Sequence, residues 1–222
     1  MYRNRNIHNR LKYITCFFTI IILLLPITTY SAEFPVLGTP PLETSVEQDC
    51  LSIIVADNST GSILKLKESG NKVNLIGGTV RLMAALVALD YMQPNDAVVV
   101  ENEQINLPQG ARLIGFHNGM SVTVSDLIAA MLVYCANDAA VVLGEAVETA
   151  TNTNDFVSLM NDKAKKLGMF NTTYINATGL AAEGQTTTLA DQFIFARTVF
   201  ANITIKGISK NLMQYSPKYD II

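Results

Sequence analysis

Two short strand-like segments stand ahead of a long block of helical patterns, and this order limits the possible folds more than any other feature of the sequence. Residues 51–57 (LSIIVAD) and 62–67 are β-rich, and residues 58–61 (NSTG) between them favour a turn. The pair predicts a β-hairpin. Strands followed by a run of helices predict an antiparallel sheet with the helices packed against it.

Five helical patterns follow the hairpin, separated by turn and loop residues. We expect helices over 79–92, from Thr123 or Ser125 to about 134, over 140–147, over 156–167 and over 188–201, with a short strand at 97–101. Gly168 favours the left-handed geometry that ends a helix, and Thr188 with Asp191 resembles a capping box at the start of one.

The number of predicted strands is too small for the number of helices. A stable sheet generally needs three or more strands with a covered face, so we expect further strands either late in the chain or missing from it. If they are missing, apolar helix faces stay uncovered. The segment 127–134 is the clearest case, because it is apolar almost all round, as a helix buried on every side would be.

The first 32 residues have the order of a secretory signal peptide. Four basic residues and no acidic one accompany an apolar run over 14–27, and small residues follow at 29–32. We predict export with cleavage after Ser31 or Ala32. A retained membrane anchor is the alternative, because the run is barely short of the ~17 residues that span a bilayer. Residues 33–50 are interpreted as an extended lead-in and residues 51–222 as the folded domain.

Charge and residue inventory exclude several classes of function. Of the 16 Lys and Arg residues four lie before residue 33, so 12 remain against 19 Asp and Glu, a net charge of −7. A basic nucleic-acid footprint is therefore absent, and no nucleic-acid partner is expected. The two histidines and three cysteines give no indication of a zinc finger, and no metal or organic cofactor is expected. The two later thiols, Cys50 and Cys135, are weak evidence for a disulfide.

Three segments become specific when they are taken in series: 81–90 (RLMAALVALD), 134–140 (YCANDAA) and 165–180 (KKLGMFNTTYINATGL). In order and spacing they resemble the D-alanyl-D-alanine carboxypeptidases, the low-molecular-weight penicillin-binding proteins, over about 52–200. The resemblance implies an α/β (α+β) fold of the β-lactamase/transpeptidase type, a helical block on an antiparallel sheet, with later strands missing. It also implies a bacterial envelope setting, in the periplasm or on the extracellular face, and peptidoglycan stem peptides ending in D-Ala-D-Ala as the partner.

That family uses a serine nucleophile with a lysine three residues later, a Ser-x-Asn loop and a Lys-Thr-Gly strand. The serine position falls on Gly78 and the lysine position on Arg81, in the sequence GTVR. Glycine offers no nucleophile, and a guanidinium stays protonated and cannot act as a base. The third motif does not occur in the 222 residues, and we expect that the chain ends before the strand that would carry it.

The Ser-x-Asn motif falls on Cys135-Ala-Asn137, where a thiol replaces the hydroxyl and the asparagine is retained. Asn137 is the candidate substrate-binding amide, with the alternative that it satisfies backbone groups between two helices. Cys135 with His117 is a second candidate nucleophile and base, although nothing in the sequence places them together. Arg81 is interpreted either as a solvated helix residue or as a group that attracts a carboxylate.

These observations predict an exported relative of the serine peptidases above that is catalytically inactive, so no intact catalytic residue is assigned. Three classes of function stay open. The first is the family activity, trimming of peptidoglycan, which Gly78 and Arg81 oppose. The second is a non-catalytic envelope protein that binds peptidoglycan stem peptides weakly or not at all, with membrane attachment through an uncleaved leader as an option. The third is a gene remnant without a selected function.

Overall fold

The computed structural model describes residues 50, 52–67, 74–101 and 107–210. All of these residues belong to the second of the two units into which the chain divides, Val36–Ile222. The predicted signal peptide over 1–32 lies outside the described residues, and so does the lead-in over 33–50 except for Cys50. Within the described ranges, no helix has the length and apolar character needed to cross a membrane.

The described part of the chain contains six helices and six short strands. The strands are β1 (Ile53–Ala56), β2 (Ile63–Lys67), β3 (Asn74–Leu75), β4 (Ala97–Val99), β5 (Ser121–Thr123) and β6 (Thr186–Thr187). The helices are α1 (Val80–Tyr91), α2 (Val124–Val133), α3 (Asn137–Thr151), α4 (Phe156–Lys166), α5 (Leu189–Ala201) and α6 (Ile203–Lys210). The strands pair as β1–β2, β3–β6 and β4–β5. The predicted α/β class with antiparallel strands is confirmed.

The predicted hairpin forms from β1 and β2, and a carboxylate organises its turn. Asp57 Oδ1 accepts hydrogen bonds from Ser59 Oγ at 2.6 Å, from Thr60 N at 2.7 Å and from Thr60 Oγ1 at 2.9 Å. Gly61 closes the turn with φ of +77°, a conformation that glycine adopts without steric cost. The local turn chemistry of residues 57–61 therefore suffices to set where the hairpin reverses.

The hydrophobic core is centred on α2, which contacts α1, α3 and α6. Residues 127–131 of α2 are all buried, with at most 4% of each side chain exposed. The expectation that the segment 127–134 is left uncovered was wrong in its main part. Helix α6 covers this segment, and its Ile205 and Ile208 are buried. We did not predict α6 from the sequence, because eight residues are too few to show a recognisable helical repeat.

Two capping predictions have different outcomes. Thr123, rather than Ser125, caps α2, and it forms a reciprocal capping box with Asp126. Thr188 caps α5 by accepting a hydrogen bond from Asp191 N at 3.2 Å. However, the Asp191 carboxylate accepts a hydrogen bond from Asn171 N at 2.8 Å. It therefore bonds to a loop distant in sequence, and the reciprocal capping bond to Thr188 N is not formed. Gly168 follows α4 with φ of +86°, which confirms the predicted helix end.

The additional strands are very short. The strand expected at 97–101 is confirmed as β4, which pairs with β5. The sequence did not indicate β3, β5 or β6, because two or three residues cannot establish an alternating pattern. The pairing of β6 with β3 brings a late segment of the chain beside the start of α1. Among the described residues, no third strand pairs with the β1–β2 hairpin.

The β1–β2 hairpin exposes several aliphatic side chains. Val55, Leu64 and Leu66 are 45%, 37% and 43% exposed. Ile63 is fully buried, and α5 packs against β1. Exposed aliphatic side chains on a hairpin that no further described strand extends favour strand association between molecules.

We predict that the purified chain self-associates and binds a hydrophobic dye through this hairpin. Replacing Leu64 and Leu66 together by threonine lowers both properties, because threonine keeps the strand propensity and removes aliphatic surface. Sedimentation velocity and dye fluorescence measure the effect. The control is Ile203→Thr, which removes an 82% exposed aliphatic side chain from a helix and leaves association unchanged. A dye-silent monomer contradicts the prediction.

We also predict an acid-sensitive turn at Asp57. Its hydrogen bonds to Ser59 and Thr60 lower the pKa of the carboxyl from 3.8 to about 2. A pKa that is depressed in the folded state stabilises the fold above the unfolded value, and this contribution is lost as the pH falls from 3.8 toward 2. A carboxyl-detected NMR titration measures the pKa directly. The Ser59→Ala variant raises it, whereas a wild-type value near 4 contradicts the prediction.

Candidate functional site

The turn that leads into α1 brings Gly78 and Arg81 next to each other. Val80 N donates to Gly77 O at 3.1 Å and Arg81 N donates to Gly78 O at 3.2 Å, so the turn is tightly wound. Residues three apart in a helix are neighbours on its surface. The structure therefore keeps the spatial relation that the serine and lysine positions of the resemblance imply, with different side chains.

The guanidinium of Arg81 lies directly over Gly78. A Cβ atom built on Gly78 would stand 2.7 Å from Arg81 Nη2, a distance that side chains do not tolerate without movement. Arg81 thus occupies the space in which a side chain at position 78 would begin. A hydroxyl at that position and the present arginine conformation are mutually exclusive.

The main-chain carbonyl of Thr178 joins Arg81 to Asn137. Arg81 Nη1 donates to this oxygen at 2.9 Å, and Asn137 Nδ2 donates to it at 3.1 Å. One carbonyl has two lone pairs and can accept both bonds. The structure therefore brings together Arg81 and Asn137, which the sequence analysis singled out. They meet at the carbonyl of Thr178, which the sequence analysis did not single out.

Asn137 is fully engaged with the backbone. Besides its bond to Thr178, its Oδ1 accepts from Arg112 N at 2.9 Å, and its own N–H donates to Arg112 O at 2.7 Å. Only 4% of the residue is exposed. This geometry favours the interpretation that Asn137 satisfies backbone groups, here those of two loops that flank the start of α3.

Asp138 is the residue that sequence reasoning missed. Its Oδ2 accepts from Ile114 N at 2.9 Å, from Gly115 N at 2.8 Å and from Phe116 N at 3.4 Å, while Oδ1 accepts from Ala139 N. A buried carboxylate with several N–H donors is well satisfied without a cation. Asp138 thereby holds the loop at 112–116 against α3. The only signal in the sequence was an acidic residue in the first turn of a helix.

The loop at 176–180 is held by its own asparagine. Asn176 Oδ1 accepts from Gly179 N at 2.8 Å and from Thr178 Oγ1 at 3.0 Å, and its Nδ2 donates to Leu180 O. Gly179 has φ of +78°, and a Cβ there would lie 2.9 Å from Gly77 O. Glycine is required for both reasons, since it fits the conformation and the close approach. Asn176 and Gly179 therefore together shape this loop.

Cys135 lies at the break between α2 and α3 with φ of +58°, a left-handed conformation that is uncommon for residues other than glycine. Its thiol is free and partly exposed. His117 is exposed, and its Nδ1 lies 3.3 Å from Asn118 O. No hydrogen bond joins Cys135 to His117, although the structure describes both residues. The geometry gives no support to a thiol nucleophile activated by this histidine.

The groups around Gly78 that the structure describes are polar and cationic. Near Gly78 the structure offers a guanidinium and backbone groups, but no hydroxyl or thiol hydrogen-bonded to a base within the described ranges. No cluster of three or more candidate ligands for a metal ion occurs in the described part of the chain. Arg81 forms no ion pair with any acidic side chain that the structure describes.

Comparison with known proteins gives one consistent family. The family model described as D-alanyl-D-alanine carboxypeptidase matches residues 40–219. The D-alanyl-D-alanine carboxypeptidase DacF of Bacillus subtilis is 26% identical over 156 residues, which are 69% of this chain and 40% of that protein. A D-alanyl-D-alanine endopeptidase of Pseudomonas aeruginosa is 30% identical, over 76% of this chain and 53% of that protein.

Solved structures agree with these matches. The crystal structure of a D-alanyl-D-alanine carboxypeptidase from Mycobacterium tuberculosis superimposes with a TM-score of 0.61 at 26% identity, covering 80% of this chain and 63% of that one. The chain spans about half the length of the curated relatives named above. The match to the family model covers most of the chain, and the chain therefore belongs to the D-alanyl-D-alanine carboxypeptidase family.

Proposed function

We propose that this protein is a non-catalytic member of its family, which binds peptidoglycan stem peptides in the bacterial envelope. The observation that carries the proposal is the Arg81 guanidinium lying over Gly78, in the space of the side chain at that position. Acyl transfer by a serine peptidase needs a nucleophile and a base that can accept its proton. Position 78 has no nucleophile, and a guanidinium cannot accept a proton.

Binding is supported by the groups that surround these two positions. The loops at 112–116 and 176–180 are held in place by Asn137, Asp138 and Asn176. A site whose loops are already ordered loses little conformational entropy when a ligand binds. The relatives named above are D-alanyl-D-alanine carboxypeptidases and an endopeptidase, so a stem peptide ending in D-Ala-D-Ala is the ligand class to test.

The first test is chemical. We predict that the purified chain forms no covalent adduct with a penicillin, because no activated hydroxyl stands at position 78. Intact-mass spectrometry after incubation with the β-lactam measures this. A Cys135→Ser variant is treated in parallel as a control, since Cys135 carries a free, partly exposed thiol. An adduct on the wild type that Cys135→Ser abolishes supports the thiol mechanism, and an adduct on both proteins overturns the proposed inactivity.

The proposed location rests on the basic, apolar and small-residue order of residues 1–32. We predict that protein isolated from the envelope fraction begins at Ala32 or Glu33. Mass analysis of its N-terminal peptide measures the start. A chain that keeps its leader in the membrane fraction supports the anchored alternative. A chain found in the cytosol with Met1 intact contradicts export.

A further inference from the structure

The Arg81 guanidinium is a positive charge beside Gly78 that no described acidic side chain neutralises. One of its amino groups, Nη1, is used by the Thr178 carbonyl, and the side chain is half-buried. No described carboxylate lies within ion-pair distance of it, and the nearby Asp138 is committed to backbone N–H groups of the loop at 112–116. The guanidinium therefore retains donors, Nη2 and Nε, that no described acidic group satisfies.

The position of this charge selects the chemistry of its ligand. A guanidinium binds planar anions best, and carboxylates in particular, through paired N–H donors. Arg81 also stands in the first turn of α1, which carries no acidic residue, and the helix dipole adds to the positive potential there. Both terms favour a carboxylate next to Gly78.

The stem peptide supplies that carboxylate in only one of its two forms. In acyl transfer the attacked carbonyl carbon lies about 3 to 3.5 Å from the nucleophile, so a peptide bound in that manner places this carbon beside position 78. In an untrimmed peptide ending in D-Ala-D-Ala, the carbon belongs to a neutral amide. In the peptide already shortened by one D-Ala, it belongs to the terminal carboxylate.

We propose that the Gly78 and Arg81 site recognises the trimmed stem peptide by pairing the Arg81 guanidinium with its terminal D-Ala carboxylate. This inference rests on the proposed function and names the form of the ligand. The untrimmed peptide carries its carboxylate one residue further away, about 3.3 to 3.6 Å along an extended chain.

The size of the preference follows from the type of hydrogen bond. Bonds between a guanidinium and a carboxylate are roughly twice as strong as bonds between neutral groups. For a half-buried pair we expect the trimmed peptide to bind about tenfold more tightly than the untrimmed one. The preference weakens as salt concentration rises, because the pair is partly exposed to solvent.

Isothermal titration of the full chain with three N-acetylated peptides tests the inference. The peptides are a stem peptide ending in one D-Ala, the same peptide with an amidated C-terminus, and the same peptide ending in D-Ala-D-Ala. We expect about tenfold tighter binding of the first peptide than of the other two. Amidation removes the charge without altering the protein, so this comparison needs no variant to fold.

Variants then assign the preference to one side chain. Arg81→Gln brings the three dissociation constants to within about twofold, whereas Arg81→Lys keeps part of the preference because the charge remains. The matched control is Arg197→Gln, which removes the same charge from α5, where Arg197 lies 5.9 Å from the Phe193 ring. This control keeps the full preference.

The possible failures are distinguishable. If the wild type binds the trimmed peptide and its amide equally, or if Arg81→Gln keeps the preference, the inference is overturned and the proposed function stands. If free D-alanine binds as tightly as the trimmed peptide, the site holds any small carboxylate and peptide recognition is overturned. If none of the three peptides binds, both the inference and the proposed function are overturned.

Discussion

The carbonyl oxygen of Thr178 is the group on which the site depends. It accepts one hydrogen bond from Arg81 in α1 and one from Asn137 in α3, so a single peptide unit connects two helices to the loop at 176–180. This carbonyl can come so close only because Gly179 approaches the backbone of Gly77 without a Cβ. Both lone pairs of the oxygen are used, and a buried carbonyl of this kind leaves no unsatisfied acceptor behind.

Around this contact, Asn137 and Asp138 hold a loop in place, whereas Gly78 and Arg81 stand at the predicted serine and lysine positions. Asn137 and Asp138 hold the loop at 112–116 entirely through backbone N–H and carbonyl groups, and that role does not depend on catalysis. At the reactive positions, by contrast, glycine leaves open the space that the arginine side chain fills. The two residues are physically coupled, because the observed arginine conformation requires the absence of a side chain at 78. A binding site can persist in such a frame without the chemistry of acyl transfer.

Local sequence patterns predicted the elements whose stabilising contacts are local. The turn at Asp57 and the cap at Thr123 involve partners within three residues, and both are found. The prediction of a capping box at Thr188 was only half correct, because the Asp191 carboxylate accepts a hydrogen bond from Asn171 N, twenty residues away in sequence. The short helix α6 was not predicted for a similar reason, since its stability comes from packing on α2 rather than from its own repeat. Hydrogen bonds between segments distant in sequence leave no periodic signal.

The sequence by itself determined the hairpin, the main helices and, through three motifs in series, the family. The resemblance also predicts that Gly78 and Arg81 stand at the family's serine and lysine positions. The sequence also indicated that a glycine at position 78 and an arginine at position 81 supply neither a nucleophile nor a base. Only the tertiary structure decided where the Arg81 guanidinium lies, that Asn137 is engaged with the backbone of two loops, and that Asp138 holds one of them. The reason is physical: these partners are main-chain groups, which every residue possesses, so their pairing follows from how the chain packs and not from residue type.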